Sequence, residues 1–452
     1  MADDPALDSD RRYSPREVGG AFLQLIAAGI VGSGLLVNPV LGRILQGPQV
    51  VDKADVLLGY WVWSMLLGGG VFVLGRRFAR RRGRALDAVA ALTLPVVALV
   101  LMDRLLLVHF GLPLWVHDPV LGYRQRPGAV RTLARARRPD DRIRINRYGQ
   151  HDTEFPVAKA PGEFRGLMIG DSITMGDQVP YSETFSAQLE ALLDRNDRRH
   201  GLHQIINTGV HGYTTYQELE VLRESLRFDP DFIAIGFCMN DLTEPSLIRR
   251  GVREGTDYHG VAAAAGPIRG YLLNESGFGR LAEALRARSR TRAGERYRES
   301  QAVRRVAALA ADDPEVSEAW RAVTSDLESM YALAQERNLD VVLLIFPFTF
   351  QLAEPSLQRP QEILREHAAR HGVAAIDFTP LFAERIYRDH ALVSLLREHG
   401  YGPDALERVF LPQTRRYFLD GDHLSKAGHG VVAERLLEHL TEAGLIGKPN
   451  GS

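Results

Sequence analysis

Residues 164–174 read FRGLMIGDSIT, a mostly apolar run that ends at Ile169 and is followed directly by a helical pattern. The pattern predicts a buried strand that turns into a helix, with Ser172 at the turn. A serine at the carboxyl end of a central strand faces the crevice where open α/β sheets bind ligands, next to the positive end of a helix dipole. Ser172 is therefore a candidate nucleophile, although helix capping alone would also explain a serine at this position.

Four further apolar runs follow the first, and amphipathic patterns separate them. Strands are predicted at 164–169, 203–206, 231–236, 341–346 and 373–376, and helices at 183–195, 214–226, 316–337, 359–371 and 425–442. Five short strands joined by helical crossovers predict an α/β fold with a mostly parallel sheet that is covered on both faces. Reactive groups are then expected at the carboxyl ends of the strands.

Composition limits the classes of protein to consider. The chain has 452 residues, which exceeds one average domain. Its 55 Lys and Arg residues nearly balance 56 Asp and Glu residues, and a formal net charge of −1 does not indicate a nucleic-acid partner. The single cysteine, Cys238, excludes an intrachain disulfide framework and a cysteine metal cluster.

The first quarter of the chain predicts a membrane region at 18–110. Residues 18–42 and 56–75 contain no charged residue, and each run is long enough to cross a hydrocarbon core of about 30 Å. A third span is expected at about 85–106, with Asp103 at the membrane interface. Buried core helices of a soluble domain are the alternative, but the length of the runs and their lack of a polar face disfavour it. We therefore expect the chain to be retained in a lipid bilayer.

Positive charge predicts the orientation of these spans. Six arginines lie between the second and third runs, at positions 76, 77, 80, 81, 82 and 84, and such clusters stay on the cytoplasmic side. Residues 1–17 are then cytoplasmic as well, and three crossings place everything after about residue 111 outside the cytoplasm. Residues 111–160 mix Pro, Gly and charged residues without a helical period, which favours a surface linker with short extended pieces.

Four segments of the remaining domain, 161–445, carry chemically distinct groups. They contain Ser172, the sequence NTGVHG at 207–212, the sequence GFCMND at 236–241 and the sequence DGDHLS at 420–425. Acyl transfer by a serine needs a base, a carboxylate that orients the base, and hydrogen-bond donors for the oxyanion. All these residue types lie at predicted strand ends or loops.

At this point the chain resembles the SGNH hydrolase superfamily, also called GDSL esterases and lipases, over about residues 115–443. The resemblance rests on four ordered blocks: Gly170-Asp171-Ser172, Gly209, Gly236 with Asn240-Asp241, and the D-x-x-H pair of Asp420 and His423. It implies a three-layer, flavodoxin-like fold in which Ser172 is the nucleophile, His423 the base and Asp420 its orienting carboxylate. It also implies an oxyanion hole formed by the N–H groups of Ser172 and Gly209 and the amide of Asn240.

The lead-in to this domain is similar to that of bacterial membrane-anchored members. The similarity lies in DPVLGY at 118–123 and NRYG at 146–149, whereas Gln150-His151 departs from the aromatic and arginine that such members often carry. The resemblance thus implies a multi-pass protein of the bacterial inner membrane with its catalytic domain on the periplasmic side.

Other residues near the predicted site have more than one assignment. Asp171, His211 and Asp241 are candidates for substrate contact, although their positions favour a structural role for His211 and Asp241. Asp422 is a rival to Asp420 because it directly precedes His423. No metal and no cofactor are predicted, since the acidic spacing of a calcium loop is absent from the sequence around Asp420.

A long insertion is predicted at about 245–315. It contains arginines at positions 286, 288, 290, 292, 296 and 298, which either meet an acidic glycan or phospholipid headgroups or form a solvated helix. In the predicted fold this insertion rises over the same sheet edge as Ser172, so it is a candidate lid.

The function expected from these observations is a membrane-anchored extracytoplasmic serine esterase. Its substrate is expected to be an acyl ester, above all an O-acetyl ester, of a glycan. The alternatives are a glycan O-acyltransferase, a lipase or lysophospholipase, and a noncatalytic envelope assembly or binding protein. The oligomeric state is left open.

Overall fold

The computed structural model describes residues 15–36, 100–107, 114–242, 276–281 and 302–447, apart from positions 119, 134–137, 139, 280 and 315. The chain divides into two compact units. One comprises Met1–Pro113 and Ala264–Ser289, and the other comprises Leu114–Ala263 and Arg290–Ser452. The second unit therefore contains all the residues of the predicted catalytic site.

The first unit contains helix α1, Pro15–Leu36, and a helical segment at 100–107. Asp103 is buried in this unit and accepts a hydrogen bond of 3.2 Å from the backbone N–H of Phe278. Within the described ranges, no helix has both the length and the apolar character needed to cross a membrane. The predicted span at 56–75, most of the one at 85–106 and the arginine-rich part of the insertion lie outside the described residues.

Among the residues that the structure describes, the second unit contains nine strands and the remaining named helices. The strands are β1 Trp115–Asp118, β2 Gly122–Gln125, β3 Val130–Thr132, β4 Arg142–Arg144, β5 Glu163–Ile169, β6 Leu202–Asn207, β7 Phe232–Phe237, β8 Asp340–Ile345 and β9 Ala374–Asp377. The helices are α2 Ser172–Met175, α3 Phe185–Asn196, α4 Thr215–Ser225, α5 Ser317–Gln335, α6 Thr349–Ala353, α7 Arg359–Arg370, α8 Phe378–Ile386, α9 His390–Glu398, α10 Pro403–Val409, α11 Leu411–Tyr417 and α12 Lys426–Glu442. Short 3-10 turns lie at Tyr181–Glu183, Leu226–Phe228, Met239–Leu242 and Pro355–Leu357.

Strands β5 to β9 form a parallel sheet in the order β6-β5-β7-β8-β9, which confirms the predicted α/β class. Strand β5 lies between β6 and β7, and its Leu167 pairs with Ile206 of β6 and Ile233 of β7. The chain passes from β5 to its neighbour β6 on one side and then crosses to β7 on the other side. The direction in which strands are added to the sheet therefore reverses between β5 and β7. Open α/β sheets bind ligands at the carboxyl ends of strands at such a reversal.

Helices cover both faces of the sheet. Helix α3 packs against α12, and α4 packs against α5. The crossover from β5 to β6 runs in the opposite direction to the crossover from β6 to β7, so right-handed connections place α3 and α4 on opposite faces. The buried leucines of α3, Leu189 and Leu193, belong to the same apolar core as Leu436 of α12. The sheet is thus the middle layer of three.

Residues 114–145 form two antiparallel hairpins, β1–β2 and β3–β4. The linker predicted for this stretch is therefore folded, and it belongs to the same compact unit as the sheet. Tyr123 and Ile143 of the hairpins share a second apolar core with Met175, Val210 and Tyr213. Since Met175 ends α2 and Val210 follows β6, the hairpins pack against the loops at the carboxyl edge of the sheet.

Arg165 fixes the beginning of β5. Its side chain is completely buried and pairs with Glu163, which is 8% exposed. The guanidinium also donates to the backbone carbonyls of Val157 and Phe228, at 2.8 and 2.9 Å. A buried charge needs this degree of hydrogen bonding to offset its desolvation. Arg165 thereby ties the segment before β5 to the sheet.

Candidate active site

Ser172 lies where the sequence predicts it, at the first residue of α2 directly after β5. Asp171 caps this helix, since its carboxylate accepts a hydrogen bond of 2.8 Å from the N–H of Ile173. Gly170 permits the tight turn, because a Cβ there would lie 2.1 Å from Thr174 Oγ1. The N–H of Ser172 is in the first turn of the helix, where backbone donors have no intrahelical acceptor.

His423 meets Ser172 across the sheet edge. Its Nε2 lies 3.0 Å from Ser172 Oγ, and its Nδ1 lies 2.9 Å from Asp420 Oδ1. Because an ionised carboxylate only accepts hydrogen bonds, Nδ1 carries the proton and Nε2 is left to accept from the serine hydroxyl. The three side chains form one hydrogen-bonded series, which is the arrangement required for a serine nucleophile with its base and orienting acid.

Asp420 is held more firmly than its rival Asp422. Asp420 Oδ1 accepts from the backbone N–H of His423 at 2.9 Å, and Oδ2 accepts from Gln178 Nε2 at 2.6 Å. Asp422 Oδ1 approaches His423 Nδ1 only to 3.2 Å. Burial favours the neutral acid, but the hydrogen bond and charge of His423 outweigh it and hold the pKa of Asp420 well below its usual range. Asp420 is therefore the better placed orienting group.

The two carboxylates also determine the charge of the imidazole. Burial by itself lowers the pKa of His423, but the charge of Asp422 and the hydrogen bond to Asp420 outweigh it. The net result raises the pKa of His423 well above its usual value. A general base has to be unprotonated, so for the predicted role of His423 this environment predicts an onset of activity at higher pH than an isolated histidine would give.

Asn240 follows β7 in the 3-10 turn Met239–Leu242 and lies beside the nucleophile turn. Its Nδ2 donates a hydrogen bond of 2.9 Å to Asp171 Oδ2. The amide nitrogen carries two hydrogens, so this contact does not by itself use both. Burial raises the pKa of Asp171, and the bond from Asn240 opposes that change. Asp171 thus orients both α2 and the predicted oxyanion donor.

Gly209 lies at the end of β6, as predicted, but its backbone N–H is engaged. It donates to Asn207 Oδ1 at 3.1 Å, and a Cβ at Gly209 would lie 2.2 Å from Met175 N. Gly212, in the same loop, has a φ of +74° and no hydrogen-bond partner for its N–H among the described residues. The predicted role of Gly209 in the oxyanion hole would require its bond to Asn207 to break.

The three candidates for substrate contact differ in exposure. The side chain of His211 is 35% exposed, and its ring stacks on His423 with the centroids 6.4 Å apart. Asp241 is completely buried and accepts a hydrogen bond of 3.0 Å from the N–H of Cys238. Asp171 is also buried, as the helix cap. Of these candidates, only His211 has a side chain that a ligand at His423 can reach.

Three residues support the site although the sequence-based prediction gives them no role in it. Gln178 holds Asp420, and Asp177 forms an ion pair with Arg131 of β3. His151 lies in the lead-in, at the Gln150-His151 pair that differs from the pattern of the resembling family. Its side chain is completely buried, and its Nδ1 lies 2.8 Å from the carbonyl oxygen of Met175. Burial lowers the pKa of His151 to about 4, so its ring is neutral. The lead-in thus supports the end of the nucleophile helix.

Histidine and carboxylate groups also cluster in ways that bear on metal binding. Within the described part of the chain, four groups bring potential ligand atoms within 4.8 Å of one another. Two of them include His423, whose ring nitrogens already contact Ser172 and Asp420. The other two, Asp197 with His200 and His203, and Glu328 with His367 and His371, contain none of the predicted site residues.

Comparison with known proteins assigns a family to this arrangement. A family model described as "GDSL-like Lipase/Acylhydrolase family" matches residues 168–431. This range includes the segments that carry Ser172, Gly209, Asn240, Asp420 and His423. A search of curated proteins gave no match.

Solved structures with a similar chain path include three bacterial proteins. The lipase/acylhydrolase from Enterococcus faecalis is 15% identical, with 64% of this chain and 100% of that chain covered and a TM-score of 0.33. A catalytic mutant of the acetylxylan esterase Axe2 from Geobacillus stearothermophilus is 15% identical, with coverages of 61% and 94% and a TM-score of 0.34. A GDSL-like lipase from Bacteroides thetaiotaomicron is 14% identical, with coverages of 63% and 91% and a TM-score of 0.33.

Proposed function

The chain belongs to the GDSL-like lipase/acylhydrolase family of ester-hydrolysing enzymes, and on that premise we propose that it is a membrane-anchored serine esterase acting on a glycan outside the cytoplasm. The bond to be cleaved is an acyl ester, above all an O-acetyl ester. The observation that carries the proposal is the hydrogen-bonded series from Ser172 Oγ through His423 to Asp420, with distances of 3.0 and 2.9 Å.

In the proposed mechanism, Ser172 Oγ attacks the ester carbonyl carbon while His423 Nε2 takes the hydroxyl proton. Asp420 stabilises the imidazolium and holds its orientation. Collapse of the tetrahedral intermediate breaks the bond to the alcohol oxygen, which leaves with the proton from His423. Water then attacks the acyl carbon while His423 takes a proton from it. Collapse of this second intermediate breaks the bond between the acyl carbon and Ser172 Oγ, which takes the proton back from His423, and the carboxylic acid is released.

The oxyanion needs donors that point at the position where negative charge develops. The proposed donors are the N–H of Ser172, at the start of α2, and the amide of Asn240, which Asp171 orients. A third donor comes from the loop after β6. It is the N–H of Gly212, or the N–H of Gly209 if the hydrogen bond from Gly209 to Asn207 breaks. Removing one such donor typically costs about 10²- to 10³-fold in turnover.

The membrane attachment is proposed from the sequence. Residues 18–42 and 56–75 have no charged side chains, and the arginines at 76–84 predict a cytoplasmic loop. A reporter fused after residue 111 tests this topology in bacterial cells. An alkaline phosphatase fusion, which is active only outside the cytoplasm, is expected to be active. Activity confined to a cytoplasmic reporter would contradict the proposal.

The substrate is tested with the full-length protein. Release of acetate and of longer acids is measured from acetylated glycans and from aryl esters of increasing chain length. Ser172→Ala is compared with Ser329→Ala, whose hydroxyl bonds only the carbonyl of Ser325 in its own helix. The proposal predicts preference for acetyl esters and loss of turnover only in Ser172→Ala.

Other outcomes would favour the rival functions. Preference for long acyl chains would indicate a lipase or lysophospholipase. Transfer of acetyl groups to a glycan hydroxyl, without release of acetate to water, would indicate an O-acyltransferase. The same acyl-serine serves both reactions, so only the acceptor distinguishes them.

A further inference from the structure

Two histidines of helix α7 and a glutamate of helix α5 lie close together. His367 lies in the last turn of α7, and His371 caps the same helix four residues later. Residues four apart on a helix are neighbours on its surface, and the two imidazole centroids are 4.7 Å apart. Glu328 of α5 faces both rings: its Oε1 lies 3.3 Å from His367 Nε2 and 3.5 Å from His371 Nε2.

The two distances also match the spacing of metal ligands. The 3.3 Å contact of Glu328 with His367 is a long hydrogen bond, and the 3.5 Å contact with His371 exceeds the length of about 2.7–2.9 Å of strong hydrogen bonds between charged groups. Zinc bonds of about 2.0–2.1 Å in tetrahedral geometry place neighbouring ligand atoms about 3.3–3.4 Å apart. The separations from Glu328 to the two imidazoles match that spacing.

The other peripheral cluster provides an internal comparison. Asp197 Oδ2 lies 2.7 Å from His200 Nδ1 and 3.0 Å from His203 Nε2, which are ordinary hydrogen-bond lengths. Asp197 Oδ1 also accepts from the N–H groups of Arg199 and Gly447, each at 2.8 Å. That carboxylate is fully engaged as a local anchor, so the cluster needs no ion to explain it.

We propose that Glu328, His367 and His371 bind a Zn²⁺ ion through Oε1 and the two Nε2 atoms, with water completing a tetrahedron. Imidazole and carboxylate are established zinc ligands, and two histidines one helical turn apart present Nε2 to the same ion. The ion would also lie at the C-terminus of α7, where exposed backbone carbonyls favour positive charge.

The surroundings of the three ligands agree with this assignment. The side chain of His367 is buried, so an ion bound there would be shielded from water on the side of that ligand. Tyr331 packs beside both imidazoles, with ring centroids 5.9 Å away. Its buried hydroxyl has no hydrogen-bond partner in the described part of the chain, and a zinc-bound water would offer one.

The position of the site assigns it a structural role. Helix α7 ends just before β9 begins, so its C-terminus lies at the edge of the sheet opposite the carboxyl ends that carry Ser172. The ion would join α5 to α7 without contacting the catalytic side chains. Binding to the folded protein alone stabilises it, so Zn²⁺ is expected to raise the unfolding temperature.

The test uses the full-length protein after removal of metals with a chelator. Isothermal titration with ZnCl₂ is carried out on the wild type, His371→Ala, Glu328→Gln and the control His399→Ala. His399 is a matched control because it caps α9 as His371 caps α7, and its Nδ1 bonds only Leu395 of its own helix. Loss of even an outer-shell partner weakens metal affinity by about 10–100-fold, so loss of a direct ligand should raise Kd by at least about tenfold.

The expected result is one zinc per chain in the wild type and in His399→Ala, with weakened binding in the two ligand variants. The rise in unfolding temperature on adding ZnCl₂ should follow the same pattern. Both ligand side chains are substantially exposed, 37% for His371 and 52% for Glu328, so the metal-free variants should unfold at the wild-type temperature. No binding by the wild type, or equal Kd in all four proteins, would overturn the assignment.

Discussion

The two carboxylates beside His423 should have separable effects on catalysis. Asp420 contacts the imidazole, the backbone N–H of His423 and Gln178, whereas Asp422 makes one contact of 3.2 Å with the imidazole. Asp420→Asn removes the acceptor that keeps the proton on Nδ1. The amide can stabilise the opposite tautomer, in which Nε2 no longer accepts the proton of Ser172. We therefore expect kcat to fall by about 10⁴-fold.

Asp422→Asn should act through charge instead. The imidazole keeps its orientation from Asp420, so the maximal rate should fall by less than about tenfold. If the contact of Asp422 instead oriented the ring, its loss would cost about 1.5–3 kcal/mol, the value of a hydrogen bond to a charged group. The negative charge of Asp422 stabilises the imidazolium and raises the pKa of His423. Removing that charge lowers the pKa, so His423 becomes a free base at lower pH. The acidic limb of the kcat/KM profile should shift to lower pH.

The assay is a pH–rate profile of aryl acetate hydrolysis by the wild type, Asp420→Asn and Asp422→Asn. Each variant is first checked for an unchanged circular dichroism spectrum. The reasoning would be refuted if Asp422→Asn lost as much activity as Asp420→Asn. A shift of the acidic limb of Asp422→Asn to higher pH would contradict the electrostatic part separately.

Three further substitutions test other contacts. Asn240→Ala should lower kcat by about 10²- to 10³-fold in steady-state assays, because it removes an oxyanion donor; a loss below threefold would contradict that role. Gln178→Ala removes the hydrogen bond of 2.6 Å from Gln178 to Asp420, which water can replace only in part. It should therefore lower kcat/KM by about tenfold, equivalent to roughly 1.4 kcal/mol. An unchanged kcat/KM would show that this bond is not needed. Arg165→Met should lower the free energy of unfolding, measured in urea, by about 3–5 kcal/mol because it leaves buried Glu163 without its ion pair. The control is Arg147→Ala, which removes an exposed ion pair and should lower the free energy of unfolding by less than about 1 kcal/mol. Equal effects of these two arginine substitutions would refute the argument from burial.

The sheet could be predicted because its strands are buried on both faces. Such strands give short continuous apolar runs, and the predicted strands at 164–169 and 373–376 agree with Glu163–Ile169 and Ala374–Asp377 to within one residue at each end. Ser172 and His423 could be identified because each lies beside a strongly patterned element, β5 or α12. Residues at the carboxyl ends of parallel strands meet at one edge, so the sequence also predicted that they come together.

The remaining features depend on contacts that leave little local signal. Strands β1 to β4 have three or four residues each, too few to display a period of two. The sequence therefore predicts short extended pieces in a linker but not their antiparallel pairing. Gln178 reaches Asp420 across 242 positions of sequence, and nothing near Gln178 indicates that partner. The bond between Gly209 and Asn207 is local, but an N-x-G sequence is a common turn and does not reveal which N–H remains available.

Covalent labelling of the full-length protein shows whether Ser172 is the nucleophile. The full-length protein is treated with a fluorophosphonate, which forms a stable bond to an activated serine, and the adduct is located by mass spectrometry of peptides. We predict one adduct, on Ser172, with loss of esterase activity in proportion to labelling and no label in Ser172→Ala. An adduct on a different serine, or inactivation of the enzyme with Ser172 unmodified, would contradict the account.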